Sequence, residues 1–182
     1  PEEGYTALIE RLLEGAEVRL NTDYLANREA LNAQARRVIY TGCIDQYFGS
    51  CYGPLAYRSV RFETERLDMP NYQGNAVVNY TDVETPYTRI IEHKHFTFGT
   101  QPHTIISREY SSEWRPGDEP YYPVNNAENQ ALYKKYAQLA QREERVFFCG
   151  RLAQYSYFDM DRAMENALAA AQQVLQRDGK TA

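Results

Sequence analysis

"YRSVRFETERL" (Tyr57–Leu67), followed by "NAVVNY" (75–80), "YTRIIEHKHF" (87–96) and "HTIISREYS" (103–111), decides the fold. Each run combines β-branched or aromatic residues with alternation, and Pro, Gly, Asn and Asp punctuate the gaps. Gaps this short leave no room for crossover helices, so the strands predict an antiparallel sheet. Outward from the sheet the texture changes. On the N-terminal side Tyr5, Leu8, Ile9, Leu12 and Leu13 recur at helical spacing ahead of Gly15. "EVRL" (17–20) then predicts a short strand, 28–35 a polar helix, and "RRVIYTG" (36–42) an apolar strand. On the C-terminal side Leu132, Tyr136 and Leu139 mark one face of a helix over about 128–143, "RVFFCG" (145–150) reads as a buried strand, and 162–176 as a closing amphipathic helix. The fold class is therefore α+β. A chain that leaves one domain, builds a second and returns gives this order, dividing into 1–52, 53–125 and 126–182 with the two ends belonging together.

The 182 residues carry a formal charge of −5, and Lys and Arg are dispersed, so no basic stripe invites a phosphate backbone. Nucleic acid is excluded as an expected partner. No apolar run approaches the ~20 residues that span a bilayer and no secretory leader opens the chain, which predicts a cytoplasmic protein without membrane association. Cys43, Cys51 and Cys149 are odd in number and lack metal or redox spacing, which predicts reduced, mostly structural thiols. The chain begins at Pro1, not methionine, and enters a helical pattern directly, an opening expected of a fragment.

Several residues invite chemistry, each with a plainer alternative. His93 and His95, two apart on a strand, would share a face and could bind a metal. With only His103 besides and no HExxH, hydrogen bonding within the sheet is the commoner outcome, and no metal is expected. Arg58 and Arg89 each begin a strand near a tyrosine, where a guanidinium can clamp a diphosphate, although strand arginines are more often simply solvated. Asn79 at a strand end ordinarily satisfies a turn. In "GDEPYYPVNN" (117–126), Pro120 and Pro123 fix the backbone on either side of Tyr121 and Tyr122. Hydroxyls so held lose little freedom on meeting a phosphate, and aromatic packing in a turn is the competing account. "CGRLAQYSYFDMD" (149–161) passes from a strand through Gly150 to Asp159 and Asp161 before a helix, where either aspartate can cap. Capping leaves Tyr155, Tyr157 and Phe158 unexplained, and a ligand wall would use them. The chain holds 16 Tyr, many at strand ends or in loops, as a surface for a polar ligand would. No nucleophile, base and orienter assemble from spacing alone.

Together "YTGCIDQYFG", "YRSVRFETE", "NYQGNAVVNYTD", "TPYTRIIEHKHF", "REYSSEWRPGDEPYYPVN" and "GRLAQYSYFDMD" resemble the C-terminal half of bacterial UDP-galactopyranose mutases, over essentially the whole chain. The resemblance implies an isomerase that interconverts UDP-galactopyranose and UDP-galactofuranose for cell-wall galactofuranose. In that family reduced FAD is the nucleophile: its N5 attacks the anomeric carbon, UDP leaves, the sugar ring opens and recloses, and UDP returns without net redox change. The antiparallel sheet would be the substrate domain, and the flanking α/β elements would belong to a FAD-binding domain. Carried over by motif, Arg89 holds the diphosphate with hydroxyls from Tyr122 and Tyr157, and Asn79 lies near the sugar or diphosphate. Arg58 lies near flavin and substrate; Arg151, Phe158, Asp159 and Met160 lie against FAD; Val18, Thr41 and Gly42 contact its nucleotide side. Donors set in advance around a departing UDP stabilise charge as it develops, which gives the stiffened tyrosine pair a purpose. A homodimer is the assembly the resemblance leaves open.

The chain departs from the family at Cys43, where proline is usual, and at Cys149, where a second glycine is usual. None of its ten glycines forms GxGxxG, the dinucleotide fingerprint, and the lid that supplies another arginine is missing from the sequence as well. This polypeptide alone is therefore expected to lack tight FAD binding and mutase activity. The competing expectations are a non-catalytic nucleotide-sugar binding module and a purely structural domain, the latter requiring Arg89, Tyr122 and Tyr157 on unrelated surfaces.

Overall fold

Residues 3–179 are described by a computed structural model, in which the chain divides into two units, Pro1–Val38 and Ile39–Ala182. In the first unit the helical spacing gives α1 (Gly4–Leu12) and the polar run gives α2 (Arg28–Gln34). Gly15 follows α1 at φ 82°, the left-handed geometry of a helix stop. Neither helix buries a residue, and Leu12 is 70% exposed.

The strand predicted over 17–20 does not form. Arg19 Nε donates to Glu17 Oε1 at 2.6 Å and Arg19 Nη1 to Gln34 Oε1 at 3.2 Å. Alternation alone cannot make a strand, because the backbone needs a neighbour to pair with, and no described strand lies against 17–20.

The second unit runs β1 (Val38–Tyr40), α3 (Ile44–Tyr47), β2 (Tyr57–Leu67), β3 (Val77–Asn79), β4 (Arg89–Glu92), β5 (Thr104–Glu113), β6 (Tyr122–Pro123), α4 (Ala127–Ala140), β7 (Val146–Phe148) and α5 (Met160–Arg177), with β1 starting on the last residue of the first unit. Five strands make one sheet in the order β3-β4-β5-β2-β6, and β1 pairs with β7. Every pair in the five-stranded sheet is antiparallel, as the short connections require.

β4 ends earlier than "YTRIIEHKHF" suggests. From His93 to Phe96 the chain makes a 3₁₀ turn, so His93 and His95 are not neighbours on one strand face. The cause lies on either side of His93. Glu92 is fully buried, and Lys94, 6% exposed, turns inward so that Nζ donates to the carbonyls of Pro70, Gln101 and His103. Satisfying a buried ammonium outweighs continuing the ladder. His93 Nε2 instead bonds Ser107 Oγ at 2.7 Å, and His95 Nε2 lies 3.0 Å from Glu92 Oε2.

The core joins α3, α4, the start of β2 and the 150s loop: Cys43, Ile44, Leu55, Tyr57, Tyr136 and Tyr155. Tyr136 and Tyr155 fill the centre as rings and spend their hydroxyls on backbone. Tyr136 donates to the Gly53 carbonyl at 2.7 Å, and Tyr155 to those of Ala56 and Val124. Each buried ring contributes on the order of 1.5–3 kcal/mol, provided its hydroxyl finds a partner. Tyr155 is 1% exposed, so it is a core beam and not part of a ligand wall. Among the described residues no helix is long and apolar enough to cross a membrane.

Candidate functional site

Cross-strand partners in an antiparallel pair project to the same side, and so do residues two apart along a strand. The register aligns Asn79 with Arg89, Arg89 with Glu109, and Glu109 with Phe62. It also aligns Tyr122 with Arg58 and Arg58 with Glu113. Arg58 and Phe62 are four apart on β2, so both rows lie on one face of the sheet. Asn79, Arg89, Arg58 and Tyr122 thus share a surface. From strand geometry, Arg89 and Tyr122 are separated by about 14 Å along the strands and about 14 Å across them, a span that two long side chains can narrow from opposite ends.

Each arginine on this face is held by a neighbour. Arg58 Nη2 donates to Ser111 Oγ at 3.0 Å. Arg89 Nε lies 3.3 Å from Glu109 Oε1 without forming a hydrogen bond, and that oxygen also accepts the Thr88 hydroxyl at 2.9 Å. Attraction steers the Arg89 guanidinium while its side chain stays 41% exposed. Glu109 was not among the candidates read from sequence. Its place on a strand was legible, but its partner depends on register, which the sequence does not print.

The proline-flanked tyrosines lie along β2: Tyr121 N–H donates to Arg58 O at 2.9 Å and Val124 N–H to Ala56 O at 3.0 Å. The Arg151 guanidinium lies over two rings, 5.4 Å from the centre of Tyr122 and 4.7 Å from that of Tyr157. Those rings are 5.7 Å apart. Arg151 also donates to the carbonyls of Tyr121 and Phe158, so one cation ties the 120s segment to the loop before α5. Asp159 occupies the N-cap position of α5, yet its side chain makes no capping bond. It engages Tyr157 instead. That hydrogen bond, and then the carboxylate's charge, push the Tyr157 phenol above its ordinary value.

The ends of β1 and β7 lie side by side. Cys149 N–H donates to Tyr40 O at 3.1 Å, and a Cβ on Gly150, at φ 91°, would sit 3.9 Å from Thr41 Cβ. A Cβ on Gly42 would come 2.6 Å from the Tyr40 hydroxyl, so a side chain there requires the Tyr40 ring to shift. Cys43 and Cys149 are buried, and burial pushes the Cys43 thiol up to about 11. Met160 is 57% exposed at the start of α5; Val18, 56% exposed, belongs to the first unit. Thus Tyr122, Tyr157, Arg151, Phe158 and Asp159 form one contact cluster, Arg58 abuts it through β6, and Asn79 and Arg89 lie across the same sheet face. Thr41 and Gly42 sit at a second place, the paired strand ends. Among the described residues no group of three or more His, Cys, Asp or Glu could hold a metal ion.

Residues 1–157 match the family described as UDP-galactopyranose mutase. The chain is 36% identical to a probable UDP-galactopyranose mutase of Klebsiella pneumoniae, over 96% of this chain and 45% of that protein. It is 37% identical to the UDP-galactopyranose mutase of Mycoplasma pneumoniae, over 97% and 48%. It is also 34% identical to an Escherichia coli dTDP-fucopyranose mutase, over 94% and 47%. The chain spans about half the length of these curated relatives, and over that half it belongs to the UDP-galactopyranose mutase family.

Proposed function

We propose that this chain supplies the nucleotide-sugar face of an enzyme interconverting UDP-galactopyranose and UDP-galactofuranose. The observation that carries the reading is the single sheet face shared by Asn79, Arg89, Arg58 and Tyr122, with the Tyr157 ring beside that of Tyr122. In this reading Arg89 binds the diphosphate, and Tyr122 and Tyr157 donate hydroxyls to it. Asn79 lies near the sugar or the diphosphate, and Arg58 near substrate and cofactor. Cationic and phenolic donors fixed before the reaction stabilise the departing UDP without reorganising. Arg151 lies over both rings and holds the Tyr121 carbonyl beside one of them.

The cofactor reading rests on the paired strand ends and the start of α5. Gly42 and Gly150 leave backbone without side chains beside Thr41, and the first turn of α5 has no side-chain cap, so its N–H groups can meet an electron-rich ligand. These residues fit one flank of a flavin site, with Thr41 and Gly42 toward the nucleotide and Arg151, Phe158, Asp159 and Met160 toward the ring system. Val18 is assigned to the nucleotide side by motif alone. When bound, reduced FAD supplies the nucleophile for the anomeric carbon. The flanking segments 1–52 and 126–182 are then parts of a FAD-binding domain around a substrate domain of 53–125. The alternative is a nucleotide-sugar binding module without catalysis.

The test is titration of the purified 182-residue chain with UDP by calorimetry, together with its visible spectrum. UDP binding that weakens at least tenfold in Arg89→Ala supports the site, and unchanged binding in that variant removes Arg89 from it. A colourless preparation that converts no UDP-galactofuranose with added FAD and dithionite is expected. A yellow, active one would overturn the partial-flank reading.

A further inference from the structure

β3 is a three-residue edge strand that pairs only with β4, yet it carries Asn79. A strand's register is normally specified by one buried face and one polar face, and a slip of a single residue moves every side chain to the opposite side. β3 gives little such instruction. Val77 and Val78 are both apolar and both half-buried, so the strand would bury a valine in either register. Something outside the strand has to fix it.

The turn ahead of β3 is gripped by one side chain. Glu92 Oε1 accepts the backbone N–H of Tyr72 at 2.9 Å, and Oε2 that of Gln73 at 2.8 Å. Its own backbone N–H donates to Ala76 O at 2.8 Å, one residue before β3 begins. Gln73, held by that carboxylate, passes its side chain across to the carbonyls of Asn75 and Ile90. Lys94 holds the same turn from its other end through Pro70 O. The carboxylate is wholly buried, with Thr104 Oγ1 at 2.7 Å as a further donor. A buried charge with this many partners tolerates only one arrangement of them.

From this geometry we propose that Glu92 is a positioning residue for the nucleotide-sugar face: by fixing the turn 71–75 it sets the register in which Asn79 lies beside Arg89. The inference rests on the functional reading above only for what Asn79 binds. The register claim stands or falls without it.

The test uses the 182-residue chain, isotope-labelled, in wild-type form and as Glu92→Gln, with Thr104→Val as the control. Thr104→Val removes a buried partner of Glu92 without releasing the turn, so it reports plain destabilisation. In Glu92→Gln one carboxylate oxygen becomes an NH₂ group facing backbone donors. The amides of Tyr72, Gln73 and residue 92 are then expected to exchange with solvent at least tenfold faster. The cross-strand nuclear Overhauser contact between Asn79 and Arg89 weakens or shifts register, and the UDP dissociation constant rises about fivefold. Thr104→Val lowers the melting temperature but leaves the Asn79–Arg89 contact and UDP affinity as in wild type. If Glu92→Gln does not fold, Glu92→Asp, which keeps the charge and withdraws it by one methylene, is expected to show the same losses. A folded Glu92 variant with the Asn79–Arg89 contact intact overturns the proposal. Absence of UDP binding in wild type overturns the UDP reading alone, since the exchange and contact measurements still decide the register.

Discussion

Asp45 is 2% exposed and keeps both oxygens occupied, Oδ2 by the Leu55 N–H and Oδ1 by the Tyr57 hydroxyl, each at 3.0 Å. Burial, and then the Asp45 charge, push the Tyr57 phenol far above its ordinary value, so it remains a donor at any ordinary pH. Tyr57→Phe leaves a buried carboxylate oxygen without its partner and is expected to cost about 1–3 kcal/mol, read as a lowered urea midpoint at constant m. The cysteines differ by burial in the same way. Cys51 is exposed, whereas burial raises the thiols of Cys43 and Cys149, so native protein should label quickly at Cys51 alone and at the other two only in denaturant. At this scale the sequence tells of stiffness but not of partners. Two prolines flanking Tyr121 and Tyr122 announce a constrained segment. That Arg151 would spend itself on the Tyr121 and Phe158 carbonyls, or that Tyr155 would be a core beam and its neighbour-but-one Tyr157 exposed, depends on which backbone atoms come near, and no local pattern encodes that.

Helix ends show how element and residue part company. Asn126 caps α4, its Oδ1 accepting the Asn129 N–H at 2.8 Å, and Asn126→Ala is expected to cost about 1 kcal/mol while Asn126→Asp costs little. Asp159 holds the corresponding position on α5 without capping it. Asp159→Ala is accordingly expected to leave helix stability within about 0.5 kcal/mol while moving the ultraviolet titration of Tyr157 to lower pH. A fall in helix stability with no change at Tyr157 would reverse that assignment. The long strands β2 and β5 were legible because alternation and turn residues agree over many positions. The run 17–20 had the alternation without a partner, and 93–96 had the strand-forming residues but also Lys94, whose three carbonyl acceptors take the chain out of the ladder. Register was illegible throughout: nothing in "NAVVNY" says which of its residues faces Arg89.

Across the whole molecule, acid stability turns on whether ionised carboxylates are supported. Burial would raise the Glu92 carboxyl, but the N–H groups of Gln73 and Tyr72, the Thr104 hydroxyl and His95 outweigh it and hold the group down at about 2. Glu17, Glu63 and Asp82 are lowered too, by Arg19, by Arg61 and Tyr110, and by Thr85, but they lie in water, where screening leaves such pairs little weight. The sign follows from linkage. Because the folded value of Glu92 lies below the unfolded one, the unfolded chain takes up its proton first as pH falls. The stabilisation is complete above the ordinary carboxylate range and drains away as pH drops toward the folded value. Urea midpoints of the wild-type chain are therefore expected to fall steadily from about pH 4.5 to about pH 2. Glu92→Gln should start from a lower midpoint at neutral pH and lose less over that window, because its amide cannot titrate. Parallel pH profiles for the two proteins would mean that the acid sensitivity belongs to the surface carboxylates, and that the buried end of β4 contributes nothing to it.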